Sequence, residues 1–472
     1  MILILPLQLV ASGLQISNLK WESSTELSMD LSWDHSWFLD SGATNHDAVW
    51  LFGKIRQSGS TDWEHLMMLT ATCNPDFKAS ISSDAAGLML RRDVAGSGLA
   101  ECALVIELSN PFSGPVDVQI HGCEMVFVPQ GGFWLGDAAS TNSLADGGGN
   151  PFKVDSETEI PVGSGNLTSL AAYPPSSTLP ADYPKGFQGF YAMKYELSQQ
   201  AYVNMLNTLS WPDQQLRTNL QGDWAFDPDD LHRNGIRMMI PGGTEPAVFA
   251  CDANRNGTAN EDEDGGDRAV NGLNWDDVIA WLDWAALRPM TELEFEKMSR
   301  GPRNPVAGEF AWGTDLVVDA NTPVDDGMST EHVSEAPAPG EGLASHGYFG
   351  PQGPLRNGFA ASMNSNRLQA GSSYWGIMEL SGNLWELCVS VLDPGLGFDG
   401  QHGDGTLSAG AADTPGWPTA DGAGFRGGAW NSGIGPVGTF RDLATSDRWY
   451  AGLPPDTRRF TIGARGVRTW EP

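Results

Sequence analysis

Residues Asp252 to Glu263 of this 472-residue chain read DANRNGTANEDE. Asp252, Asn254 and Asn256 alternate, Gly257 follows, Thr258 and Asn260 continue the alternation, and Glu263 closes the run. Calcium is a hard cation that gathers several oxygens. Alternating side-chain oxygens, a glycine at the sharp turn and a terminal carboxylate that binds through both oxygens are what such a loop needs. The spacing predicts a structural calcium ion held by Asp252, Asn254, Asn256, Thr258, Asn260 and Glu263. Glu261, Asp262, Asp264 and Asp267 extend the negative run, and without a cation these groups repel one another. A solvated acidic loop is the plain alternative. His402 and Asp404, within HGDGT, offer a second metal-ligating pair, but a glycine-rich turn closed by an Asx hydrogen bond explains them as well. The five cysteines, Cys73, Cys102, Cys123, Cys251 and Cys388, are far apart and form no CxxC, so zinc and thioredoxin-type chemistry have no support. Cys73 has Cys102 or Cys123 as a bridging partner, or all are small buried thiols. Neither a GxSxG elbow nor a phosphate loop occurs.

The elements that position these residues fall into two textures. From 14 to 121 the chain reads as an all-β, sandwich-like module. Leu27, Met29, Leu31 and Trp33 alternate with polar residues, as a half-buried strand requires. The runs Val49 to Phe52 and Leu104 to Ile106 are further strand cores. From 122 to 472 the chain is loop-rich, with three helices: one from Leu197 to Leu206 with Ser198 as N-cap, one from Asn274 to Ala285, and one from Thr291, where TELE is a capping box. Residues 1–13 hold an apolar run too short to span a bilayer. It reads as a signal segment with Val10-Ala11-Ser12 at the cleavage point, or as a buried first strand. With 27 Lys and Arg against 59 Asp and Glu, the formal charge is −32, which repels phosphate backbones and excludes nucleic acid as a partner. No run is long enough for a transmembrane helix.

Five segments, in order, resemble the formylglycine-generating enzyme/sulfatase-modifying-factor family, a variant of the C-type lectin fold. They are Met125 to Gly136 (MVFVPQGGFWLG), Phe190 to Tyr202 (FYAMKYELSQQAY), Asn274 to Glu296, Trp375 to Glu386 with LSGNLWE, and Phe425 to Trp430 (FRGGAW). The resemblance covers about 123 to 470 and implies an α+β fold, C-type lectin-like, behind the all-β module. It also implies a second calcium site, with ligands from the side chains of Glu379 and Glu386 and the carbonyls of Gly382 and Leu384.

Members that oxidise sulfatase cysteines use two cysteines just after the Arg-Gly-Gly turn, with copper and oxygen. Aligned on Arg426, Gly427 and Gly428, those positions are Ser432 and Val437. A serine hydroxyl is a poor ligand for a soft metal, so copper is not expected. A related branch holds iron with three histidines. Here His121, His232, His332, His346 and His402 are scattered with no i, i+4 pair, so iron is not expected either.

What remains is a scaffold that displays loops. The display surface expected from the fold lies between Ala429 and Arg459, with Trp430, Asn431, Phe440, Arg441, Trp449 and Tyr450, residue types that anchor interfaces. Some arginines of such a fold, Arg426, Arg448 and Arg468 among them, are expected to bond loop backbones instead. The expectation is a non-catalytic protein, extracellular or on the cell surface, stabilised by calcium. It self-associates into a layer or fibre through residues 1–121, or presents a site to a protein or glycan ligand. The alternatives are a retroelement-diversified receptor and an oxidase with an altered site.

Overall fold

The computed structural model describes residues 13–42, 44–109, 111–226, 232–439 and 441–470. The apolar run Met1 to Ala11 and Phe440 lie outside the described residues. The chain is sheet-rich α+β, with nine strands before residue 130: β1 (Gln15–Trp21), β2 (Glu26–Phe38), β3 (Asp47–Gln57), β4 (Glu64–His65), β5 (Met68–Cys73), β6 (Phe77–Ile81), β7 (Leu88–Arg92), β8 (Gly96–Leu108) and β9 (Val116–Val128). One antiparallel sheet has the order β1-β2-β8-β5. A seven-stranded sheet runs Val467–Thr469, Phe190–Met193, β9, β3, β7, β6, with β4 paired to β3. Leu27, Met29, Leu31 and Trp33 of β2 are buried at alternate positions, as their spacing predicts, and share one apolar core with Val49, Leu51, Leu88 and Leu90 of the larger sheet.

β3 departs from alternation. Its first nine residues are all buried, because both faces of the strand are covered. Val49, Leu51 and Ile55 enter the core shared by the two sheets. Ala48, Trp50 and Phe52 enter a second core built from the later part of the chain. The Trp50 indole N–H donates to the Ala285 carbonyl at 2.9 Å, and the Lys54 ammonium donates to the Trp284 carbonyl at 2.7 Å and to the Gly405 carbonyl. β9 pairs with β3 over eleven residue pairs, from Asp47↔Val126 to Gln57↔Val116, and with Phe190–Met193 beyond. The change of texture at Gly122 therefore falls within a strand. Gly122 suits a close approach there, since a Cβ would sit 3.0 Å from Leu14 Cδ2. A buried Lys194 ammonium adds to the joint, 3.0 Å from Glu124 and 3.9 Å from Asp47.

The helices are short and capped. They are α1 (Gln199–Leu206), α2 (Trp211–Leu216), α3 (Trp275–Trp284) and α4 (Glu292–Arg300). Ser198, Asn274 and Thr291 accept the N-terminal N–H groups of α1, α3 and α4, and Asp277 and Glu294 complete capping boxes. α2, not expected from periodicity, begins at Ser210 with a proline in its first turn. α4 is buried on every side. Its acids are matched by arginines. Glu292 meets Arg426 at 3.1 Å and Arg448 at 2.8 Å, Glu294 meets Arg288 at 2.7 Å, and Glu296 meets Arg300 and Arg426 at 3.1 Å each. All five cysteines are free thiols. Among the described residues no helix is long and apolar enough to cross a membrane.

The double burial of β3 makes Trp50 a test of continuity. Trp50→Ala should lower the unfolding free energy by about 3–5 kcal/mol, the usual cost of truncating a buried aromatic residue. Urea denaturation followed by tryptophan fluorescence would show one shifted transition. A transition of the later part that is unchanged would mean the two cores are independent.

Candidate functional site

Strand Glu386–Val389 pairs with Ala423–Arg426, which sets Trp385 edge-on to Phe425 at 6.0 Å and to Tyr450 at 5.3 Å. These rings wall a pocket of about 310 Å³ that also holds Tyr348, Asn431, Ser432, Asp442 and Arg459. The Ser432 hydroxyl accepts the Ala429 N–H at 3.0 Å. Burial pushes the Asp442 carboxyl up to about 7, with Asp447 adding to the rise and the Ser432 hydroxyl opposing it. Asp442 Oδ1 is buried with no hydrogen-bond partner. Burial, reinforced by Asp442 and Asp447, also raises the Tyr450 phenol. The pocket therefore offers aromatic walls, hydroxyls and a carboxyl that titrates near neutrality. Of the residues expected on a display surface, Asn431 and Tyr450 line this pocket, and Trp449 is exposed outside it. Trp430 and Arg441 are buried. Trp430 packs with Ala269, Leu384, Ala429 and Phe460, and Arg441 lies 4.7 Å over the Phe310 ring.

Behind this wall lies a group of buried glutamates. Glu386 Oε1 accepts Arg465 Nε at 2.5 Å, and the same guanidinium donates to the Met193 and Met378 carbonyls at 2.7 Å each. Glu379 Oε1 accepts the Gly358 N–H at 3.0 Å. Glu196, which the sequence reading did not single out, accepts the Leu384 N–H at 3.0 Å and the Asn383 amide. Of the three carboxylates Arg465 bonds Glu386 alone; its charge also acts on Glu196 and, with that of Arg356, on Glu379. Burial pushes Glu379 up to about 7, raises Glu196 well above the carboxylate range and raises Glu386. Glu379 Oε2 and Glu386 Oε2 are buried without a partner. The Gly382 N–H is taken by the Gly427 carbonyl at 2.8 Å.

Residues 116–470 match the family model of the Sulfatase-modifying factor enzyme 1-like domain. The chain belongs to this family. A search of curated proteins found no match. The sulfatase-modifying factor enzyme 1-like domain begins at Val116, the first residue of β9, so the family region takes in the whole of the strand that β3 completes. Within it, Ser432 is buried in the pocket wall and Val437 is exposed. No cysteine lines that pocket. Burial pushes the thiols of Cys102 and Cys123 up to about 12 and raises those of Cys251 and Cys388.

The loop from Asp252 to Glu263 is curled by Asx contacts. Asn254 Oδ1 accepts the Asn256 N–H at 2.9 Å, and Asn256 Oδ1 accepts the Thr258 N–H at 2.6 Å. Asp252 is buried, accepting Arg237 Nη1 at 2.6 Å and the Gly257 N–H at 3.3 Å. Asn254, Asn256, Thr258, Asn260 and Glu263 are exposed. A 3-10 turn at Asp262–Asp264 turns Asp264 inward instead. Burial raises the Asp264 carboxyl, and Asp252 and Glu261 raise it further. Its Oδ1 has no partner. Counting positions along the motif selects Glu263, but the turn buries its neighbour. His402 Nε2 accepts the Thr469 N–H at 3.0 Å, and Asp404 closes an Asx turn onto Thr406 at 2.8 Å. Among the described residues, the one group of at least three His, Cys, Asp or Glu side chains with ligand atoms close enough for a single ion is Asp283, Asp404 and Asp413. Asp283 there accepts N–H groups of Asp404 and Asp413 at 3.1 and 2.9 Å.

Asp442 makes the pocket sensitive to pH. Its folded-state value lies above the ordinary carboxylate value, so its contribution to stability is complete below pH about 4 and is lost as pH rises through about 7. Asp442→Asn should raise stability at pH about 8 by about 2–4 kcal/mol relative to the native chain and leave it nearly unchanged at pH about 4. Urea melts at the two pH values check this, and an equal effect at both would contradict it.

Proposed function

We propose that this member of the family is a binding protein and not an oxidase. On this reading the sulfatase-modifying factor enzyme 1-like domain is a C-type lectin-like scaffold, the strands before it complete a β-sandwich-like layer, and the protein acts outside the cell by contact. The observation that carries the reading is the pocket of Ser432. The position that the resemblance gives to a catalytic cysteine holds a hydroxyl beside a carboxyl, and the second position, Val437, carries no heteroatom. Oxidation of a cysteine with copper and oxygen needs thiolates that hold a soft metal. A serine–aspartate pair between aromatic walls suits recognition of a polar ligand instead. A peptide bearing a sulfatase cysteine motif, incubated with the protein, copper and oxygen, should keep its mass. Conversion above a protein-free control would overturn the proposal.

Calcium is the cofactor proposed with it. The orphan oxygens Glu379 Oε2 and Glu386 Oε2 support a cation beside the carbonyls of Gly382 and Leu384, and the orphan Asp264 Oδ1 beside Asp252 supports one in the acidic loop. A cation there relieves buried negative charge that Arg465 and Arg237 match only in part. Chelation should lower the melting temperature by several degrees, since a ligand bound only by the folded state stabilises it. Asp252→Ala and Glu386→Ala should each shrink that shift. An unchanged melting curve on chelation sinks the calcium reading. Self-association through the edge of β1, which is unpaired among the described residues, is the accompanying assembly reading, and light scattering on the same samples would show larger particles with calcium. Monomers in every sample would remove it.

A further inference from the structure

The seven-stranded sheet has a second groove, far from the Ser432 pocket in sequence and mostly outside the segments that carry the family resemblance. One face of the sheet carries Val49, Leu51, Leu88 and Leu90 into the core shared with the four-stranded sheet. The opposite face carries the alternate residues. Lys78 lies opposite Arg91, Ser80 opposite Met89, Met89 opposite Trp50, Phe127 opposite Tyr191, and Tyr191 opposite Arg468. These residues, with Phe38, His46 and Trp470, line a cavity of about 810 Å³, a size usual for a ligand site.

Its floor is a row of rings. Phe38 is 5.6 Å from His46, His46 stacks on Phe127 at 4.9 Å, and Phe127 is 5.2 Å from Tyr191 and 5.7 Å from Trp470. His46 Nε2 and the Tyr191 hydroxyl are 3.0 Å apart. Burial, with Arg91 adding to it, drives His46 down to about 3, so it is a neutral ring at physiological pH. The rim holds hydroxyls of Thr44, Ser80, Ser82 and Thr469.

Charge on the lining reverses that of the chain. Lys78, Arg91 and Arg468 face one carboxylate, Asp40, in a protein with 27 basic and 59 acidic residues. Arg468 is held by Asp84 at 2.6 Å and lies 4.2 Å over the Trp50 ring. Arg91 donates through Nη1 to the Arg92 carbonyl and meets Asp93 at 3.1 Å, which among the described residues leaves Nε and Nη2 for a ligand carboxylate. Lys78 is exposed and has no ion-pair partner among the described residues. Past Thr469 and Trp470 a neighbouring cavity is lined by Glu157, Asp182 and Asp399. A long polyanion leaving the groove would meet that acidic surface.

We propose that this groove binds a short acidic oligosaccharide, its sugar faces on the Phe38–Trp470 row and its carboxylates on Lys78 and Arg91. Rings supply apolar area to the C–H faces of sugars, hydroxyls meet hydroxyls, and the acidic neighbour limits the length. The proposal stands independently of the Ser432 pocket. The test is isothermal titration of the full chain with tetragalacturonate, maltotetraose and a four-nucleotide oligothymidylate, at low and at physiological salt. Tetragalacturonate should bind with Kd below about 1 mM, weaken as salt rises, and exceed the other two by about tenfold or more. Lys78→Glu, at an exposed position, and Arg91→Gln should each weaken it about tenfold with an unchanged melting temperature, and Asn431→Ala in the other pocket should not. Absence of uronate binding, equal binding of maltotetraose, tighter binding of oligothymidylate, or Lys78→Glu without effect would overturn the proposal.

Discussion

The structure depends on burying the carboxylates of one short helix. Glu292, Glu294 and Glu296 of α4 are all out of solvent, where an unmatched charge costs several kcal/mol. Arg288, Arg300, Arg426 and Arg448 match them, and Glu296 also accepts the Gly136 N–H at 2.7 Å. Arg300 closes α4 itself and Arg426 ends the strand Ala423–Arg426, while Arg288 and Arg448 come from loops. Arg426 also donates to the Thr445 carbonyl, and Arg448 to the Ala172 carbonyl at 3.3 Å. The turn that follows Arg426 passes through Gly427 and Gly428 at φ of 88° and 76°. A Cβ on Gly428 would stand 2.6 Å from Leu443 Cδ1. Ser432 sits at the end of this turn, so the pocket's wall is placed by ion pairs on its far side.

A second constraint is the covering of β3. A strand buried on both faces has to be nearly all apolar, and its polar exceptions have to be satisfied. Asp47, which accepts the Trp33 indole N–H at 3.0 Å, is one exception, and Lys54 is the other. Burial drives its ammonium well below the usual lysine range, opposed by Asp283 and Asp404. Its bonds to the Trp284 and Gly405 carbonyls tie the early strands to the loop that Asp283 holds. The early strands are therefore not an appendage to the family domain but the other half of its sheet. The groove over Phe127 and Tyr191 exists because the later part of the chain covers that sheet face incompletely.

Several acids are left with one unpartnered buried oxygen: Asp264, Glu379, Glu386 and Asp442. In a chain of −32 the supply of arginine is short, and the arginines go first to α4. Glu386 keeps one arginine, Arg465; for the oxygens that none reaches, the remaining remedies are a proton or a cation. Asp442 lies in an open pocket, where ligand contact is a third.

The alternation of β2, the caps of α1, α3 and α4, and the ordered motifs from Met125 to Trp430 were legible in the sequence. Each rests on contacts within a few residues: a side chain to an N–H three positions on, or a period of two. The run Val49 to Phe52 identified a strand, but not that both its faces would be covered. The motif's spacing selects Glu263, and it does not reveal that a 3-10 turn buries the neighbouring Asp264. Trp430 and Arg441 have the composition of an interface and are nonetheless packed inside. The α4 network joins residues 134 and 156 positions apart, and the groove gathers side chains from seven strands. The sequence by itself determined which short segments form and which family they compose. Only the tertiary structure decided which charges meet, because the pairing of distant groups depends on how the whole chain closes around them and not on the residues beside each one.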